Sequence, residues 1–162
     1  MNSFLKISIS LITLLFFGCQ STTQEKDIST SSELIFPKGN QLESENFKGN
    51  VWFIPLIEND SLNQNAVGSV TFEPGARTHW HYHPGGQILL AIKGIGYYQE
   101  KGSPRRKLQK GDAVKCPPNT PHWHGASPEG EFVQVAITGR ADGPTVWLEP
   151  VSEAEYNGLT KH

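Results

Sequence analysis

The chain has 162 residues, with 14 basic and 16 acidic side chains and a formal net charge of −2. That length suits one domain around one apolar core. The near-balanced charge, with no long run of one sign, argues against a nucleic-acid-binding role.

In chain order, Lys6 precedes an apolar run from Ile7 to Cys19. A bilayer-spanning helix needs about 20 apolar residues. The shorter run reads as the core of a signal peptide over residues 1–18. Its end, Phe16-Phe17-Gly18-Cys19, resembles a bacterial lipobox, with Phe16 where leucine is usual. The resemblance implies cleavage before Cys19, a lipid on its thiol and anchorage in the bacterial cell envelope. Gln20 is unlike the usual inner-membrane retention signal, which points to the outer membrane. Residues 19–33 are polar and cannot bury enough surface to order themselves, so they read as a flexible tether. Residues 34–162 read as the folded domain. With Cys19 acylated, Cys116 has no disulfide partner and suits the role of a small buried hydrophobe.

From Leu34 onward, short apolar runs alternate with Gly, Pro, Asn and Asp. They predict strands at 51–57, 67–72, 79–82, 88–93, 96–100, 105–109, 113–116, 122–126, 132–138 and 146–148. No segment keeps a 3.6-residue period. Many short strands broken by turns argue for an all-β sandwich or small barrel. One late helix is expected, because Ser152 and Glu155 form a capping-box pattern. The basic stretch 101–110 reads as a solvated turn, and most of the four tryptophans as core.

Five of the six histidines fall in two short stretches, "HWHYHPGGQ" from His79 and "PHWHGASP" from Pro121. Histidines gathered like this mean metal, proton transfer or both. Alternate side chains of a strand share a face, so His79, His81 and His83 are expected on one side and Trp80 and Tyr82 on the other. Two imidazoles at i and i+2 can converge on one ion inside a barrel. The Pro84-Gly85-Gly86 turn brings Gln87 toward the same point, and His122 can close the site from another strand. His79 competes with His83 as a ligand on this reading.

The two stretches resemble the paired motifs of cupins. In "GARTHWHYHPGGQILLAIKG", Gly75 is followed by five residues, His81-x-His83, three residues, Gln87, six residues and Gly94. In "GDAVKCPPNTPHWHGA", Gly111 is followed by five residues and Pro117, and His122 stands at the last ligand position. Gln87 occupies the place of the usual acidic ligand, Asn119 that of a glycine and Ala126 that of an asparagine. The resemblance implies a cupin β-barrel (a double-stranded β-helix of jelly-roll type) with one short C-terminal helix. The segments "VTFEPGARTHWHYHPGGQ", "CPPNTPHWHGASP" and "WLEPVS" are more specific. They are similar to a bacterial subgroup that includes manganese-dependent hydroxynitrile lyases and cupins associated with carboxymuconolactone-decarboxylase-like domains. Carried over, the ligands are His81, His83, Gln87 and His122. Those lyases place a further histidine where this chain has Gln134.

Three imidazoles and an amide oxygen suit an octahedral divalent ion with open positions, such as Mn(II), Fe(II) or Ni(II), rather than a closed zinc site. Mn(II) is the ion the resemblance favours. All four ligands are neutral, so the ion keeps its full charge and attracts an anionic substrate group. His79 and His124 are the expected catalytic residues, as base or hydrogen-bond partner. The resulting expectation is a metal-dependent lyase acting on a small hydroxy or carbonyl compound. The alternatives are a cupin that opens unsaturated uronates, an iron dioxygenase and a non-catalytic ligand-binding module. Uronate-opening cupins commonly place the glutamine one residue further on. A homodimer joined through sheet edges is common among cupins.

Overall fold

A computed structural model describes residues 34–159. The segments expected to be a signal peptide and a tether, the expected lipidation site Cys19, and His162 lie outside the described residues. In chain order the first strands are β1 (Asn40–Gln41), β2 (Phe47–Lys48), β3 (Val51–Ile57), β4 (Asn65–Phe72), β5 (Arg77–Thr78) and β6 (His81–Tyr82). There follow β7 (Gln87–Lys93), β8 (Ile95–Glu100), β9 (Arg106–Gln109), β10 (Ala113–Cys116), β11 (His122–Ala126), β12 (Phe132–Gly139), β13 (Val146–Trp147) and the helix α1 (Glu153–Tyr156). Among the described residues no helix is long and apolar enough to cross a membrane.

One sheet runs β1-β3-β4-β12-β7-β10 and the other β13-β6-β11-β5-β2, with β8 joined to β11 and β9. The pairings are antiparallel, as in β12 against β4 with Phe132 opposite Phe72. The two sheets close over one core, giving the all-β jelly-roll barrel expected from the sequence. β7 shows the period of two that directs this closure. Gln87, Leu89 and Ala91 are buried, while Ile88 and Leu90 face out. The core gathers Val51, Phe72, Leu89, Leu108, Val114, Ala126 and Phe132. Cys116 is buried there as a free thiol that burial pushes up to about 12, so it stays protonated and inert.

A second apolar cluster lies on the outer side of β6 and β11. Trp80, Trp123, Val151 and Tyr156 pack together there, with α1 laid across them. α1 starts as its sequence requires. Glu155 N donates to Ser152 Oγ at 3.2 Å, and Ser152 N donates to Glu155 Oε2 at 2.8 Å. Tyr156 Oη donates to the Ala126 carbonyl at 2.8 Å, which ties the helix to β11. Buried Arg77 reaches Glu153 at 2.7 Å. The basic stretch is partly structural. Arg105 stacks on Tyr97 at 3.7 Å, and Lys101 pairs with Glu149.

The strand expected at 79–82 is shorter than its pattern suggested, because β6 holds only His81 and Tyr82. His79 N donates to the Asn46 carbonyl and Trp80 N to that of Glu149, so loops rather than a ladder hold these two residues. Trp80 turns into the outer cluster. The short strands β1, β2 and β5 carry no apolar alternation long enough to read.

Candidate metal centre

β11 carries His122 and His124, both buried, with Trp123 between them in the outer cluster. β6 lies beside it with His81 opposite His122. His83 follows β6 at the start of a tight turn. The His83 carbonyl accepts from Gly86 N and from Asn119 N, each at 3.0 Å. Gly86 has φ +74, and Asn119 is the single described non-glycine residue with positive φ, at 58. Asparagine tolerates this left-handed region, so it can stand where a glycine is usual. The turn delivers Gln87 as the first residue of β7.

The result is a cluster of three imidazoles. The ligand atoms of His81, His83 and His122 lie within 4.8 Å of one another. Hydrogen bonds to backbone carbonyls orient two of them. His81 Nδ1 donates to the His79 carbonyl at 2.9 Å, and His122 Nδ1 to the Thr120 carbonyl at 2.8 Å. A carbonyl only accepts, so each Nδ1 carries the proton and each Nε2 keeps its lone pair. His83 has Nδ1 at 3.1 Å from Thr145 Oγ1, and its buried Nε2 has no protein partner.

Gln87 completes the arrangement. Its Nε2 donates to Thr138 Oγ1 at 2.9 Å, which turns Oε1 toward the cluster, 3.4 Å from His122 Nε2. Two acceptors facing each other gain nothing from a hydrogen bond, whereas a cation between them would satisfy both. With the unpartnered Nε2 of His83, this donor set fits a divalent transition ion.

Burial keeps the cluster neutral. It holds His81 and His124 well below the ordinary imidazole range, and neighbouring imidazoles add to the effect. It lowers His83 to about 3, with help from His122 and Arg140. His122 is lowered by burial too, against a smaller opposing pull from the Thr120 carbonyl and Glu100.

His81, His83, Gln87 and His124 line one end of a cavity of about 500 Å³. Its walls are mainly apolar, including Phe47, Phe53, Val70, Phe72 and Trp147. Of the four tryptophans, most of them expected in the core, Trp80 and Trp123 are buried in the outer cluster, whereas Trp147 lines this cavity. His79 is half-buried and is not among the residues lining the cavity, so its contribution here is its carbonyl. The three-histidine shared face fails at His79 because residues 79 and 80 lie outside the strand. His124 is fully placed at the cavity. Gln134 Nε2 reaches its Nδ1 at 3.0 Å, while its Nε2 is buried without a protein partner.

Sequence reasoning missed Thr138, Thr145 and Arg140. Thr138 shares a face of β12 with Gln134 and Ala136, so strand period could have found it. Thr145 and Arg140 flank the loop between β12 and β13, where no period applies.

A jelly-roll barrel with inward histidines on neighbouring strands of one sheet and a glutamine facing them from the other defines a cupin-type scaffold. The chain belongs to the cupin family, and the Cupin domain profile matches residues 68–137. The chain is 42% identical over 111 residues to an (R)-mandelonitrile lyase from Granulicella tundricola, covering 68% of this chain and 85% of that one. A cupin-like protein from Thermotoga maritima has a similar crystal structure. It is 48% identical, with a TM-score of 0.75, over 80% of this chain and 98% of that chain. A DMSP lyase from Ruegeria pomeroyi shares the fold at 23% identity and a TM-score of 0.54, over 64% of this chain and 54% of that one.

Proposed function

We propose that this cupin is a metal-dependent lyase that cleaves a small hydroxy or carbonyl compound, in the manner of a hydroxynitrile lyase. One observation carries the reading. Three imidazoles and the Gln87 oxygen converge at one end of an apolar cavity, in a chain 42% identical to an (R)-mandelonitrile lyase. His81, His83, His122 and Gln87 would hold one divalent transition ion, with Mn(II) favoured over Fe(II) or Ni(II). Bound there, the ion supplies Lewis acidity to a hydroxyl or carbonyl oxygen.

The chain's own residues do the rest. The apolar walls take the substrate's body. His124 is neutral, and Gln134 donating to its Nδ1 leaves the proton on Nε2, the nitrogen without a protein partner. Cyanohydrin cleavage removes the hydroxyl proton, breaks the bond to the nitrile carbon and leaves cyanide to be protonated. A neutral imidazole giving up its proton outright would become an imidazolate. The part His124 plays is therefore to donate a hydrogen bond to the departing anion, while the hydroxyl proton reaches it through solvent.

The reading is tested with Mn(II)-, Fe(II)- and Ni(II)-loaded protein and racemic mandelonitrile, following benzaldehyde release. Turnover that His124→Ala lowers by about 100-fold at unchanged metal content supports it. Absence of turnover with every ion, on mandelonitrile and on aliphatic cyanohydrins alike, removes it in favour of a binding module. The lipobox-like end at Cys19 supports placing this chemistry at the bacterial envelope. Palmitate labelling of the wild type but not of Cys19→Ser tests that placement.

A further inference from the structure

We propose that Arg140 makes the cavity selective for substrates that carry a carboxylate beside the oxygen held at the histidine end. The proposal rests on the lyase reading for the reaction, but it concerns a different residue and a separate recognition step.

Arg140 follows the end of β12 and lines the cavity with His83 and Thr145. Its backbone is fixed by N–H donation to the Gln64 carbonyl at 2.8 Å. Its Nη1 donates to Thr145 Oγ1 at 3.0 Å, the same oxygen that lies 3.1 Å from His83 Nδ1. A threonine oxygen can accept from both, so Arg140, Thr145 and His83 form one connected wall. A guanidinium has five N–H donors, and the bond to Thr145 uses one. Among the described residues no carboxylate lies within ion-pair distance of Arg140, and the ion pairs formed elsewhere go to Lys38, Lys48, Arg77, Lys93 and Lys101.

Half-buried cations without a partner carboxylate are uncommon on an apolar wall, because losing water is costly unless an anion returns the interaction. Among the described residues that line this cavity, Arg140 is the sole Arg or Lys. The single acidic lining residue, Glu58, is exposed and makes no ion pair with it. The remaining polar lining is neutral, so the cavity is positive at one end before any metal enters. A planar fork of this kind matches a carboxylate in two-point contact. A phosphate dianion would leave a second charge against the mainly apolar walls, which a single guanidinium does not offset. The substrate class is therefore a small hydroxy or oxo carboxylate with an apolar body, its carboxylate at Arg140.

Isothermal titration of the metal-free and the Mn(II)-loaded protein tests this, with mandelate, its neutral amide mandelamide, and inorganic phosphate as probes. The metal-free protein isolates Arg140 from the ion's own attraction for carboxylates. Mandelate should bind it more tightly than mandelamide by roughly 30-fold. Arg140→Gln should erase that preference while leaving mandelamide binding and Mn(II) stoichiometry unchanged, and Arg140→Lys should restore part of it. A merely structural Arg140 would weaken both probes equally. Equal binding of mandelate and mandelamide by the wild type, a preference that survives Arg140→Gln, or a preference for phosphate over mandelate would each overturn the proposal. Should the protein bind no metal, the carboxylate preference of the metal-free protein is still expected, so the two readings fail separately.

Discussion

Gln134 Nε2 donates to His124 Nδ1 across 3.0 Å of buried space, and the bond decides which nitrogen of His124 carries the proton. An Nδ1 that accepts leaves Nε2 protonated. His124 therefore presents a donor to the cavity it lines, where a histidine with a free Nε2 lone pair would present an acceptor. Reversing the Gln134 amide would leave two unpaired N–H groups in place of one unpaired oxygen. Gln134→Leu removes the lock and should cut turnover by about tenfold at unchanged metal content. Gln134→Glu forces the proton to Nδ1 and should cut it further. Steady-state kinetics with metal analysis of the same samples checks both, and equal turnover in all three proteins would refute the tautomer assignment.

In the proposed centre Gln87 would contribute a neutral oxygen, where a carboxylate would cancel part of the ion's charge. Gln87→Glu should bind Mn(II) more tightly, by roughly tenfold, and turn over more slowly, because the ion becomes a weaker Lewis acid. Gln87→Leu should bind it about tenfold more weakly. Competition against a fluorescent chelator gives the affinities. Unchanged affinity in both variants would mean that Gln87 does no more than bond to Thr138.

The turn that places Gln87 depends on Gly86. A Cβ there would be strained at φ +74 and would sit 3.0 Å from the Cys116 carbonyl oxygen. Gly86→Ala should cost about 1–2 kcal/mol in urea unfolding. It should also weaken metal binding, because the start of β7 shifts. Wild-type stability with wild-type metal affinity would contradict the role given to this turn.

Acid should destabilise the metal-free protein in a defined window. His83 titrates near 3 when folded against 6.5 ordinarily, and burial moves His81, His122 and His124 in the same direction. Between those values the unfolded chain binds more protons, so stability is full above about pH 6.5 and is lost as pH falls toward the folded pKa. Each histidine contributes roughly 1 kcal/mol per pH unit in that window. Urea midpoints should fall steeply from about pH 7 to about pH 5. A flat midpoint would show that the four rings are not held neutral by burial.

The barrel and the convergence of His81, His83 and His122 were legible because they follow local rules. The His81-x-His83 spacing, the glycine turn before Gln87 and the separate His122 each obey strand period or turn chemistry. Ser152 and Glu155 marked the start of α1 as a capping box does. His79 misled because alternation was extended one residue pair beyond the real strand, and tertiary bonds to Asn46 and Glu149 decide that boundary. Arg140 and Thr145 were illegible because the β12–β13 loop has no period, and its path is set by contacts with Gln64 and His83 far away in sequence.

The most direct test is the metal content of the protein purified without chelators, beside a His81→Ala/His122→Ala double variant checked for folding by circular dichroism. The arrangement of His81, His83, His122 and Gln87 predicts about one equivalent of manganese, iron or nickel in the wild type and none in the folded variant. A folded wild type that takes up no such ion, even after incubation with each in excess, would contradict a metal centre here.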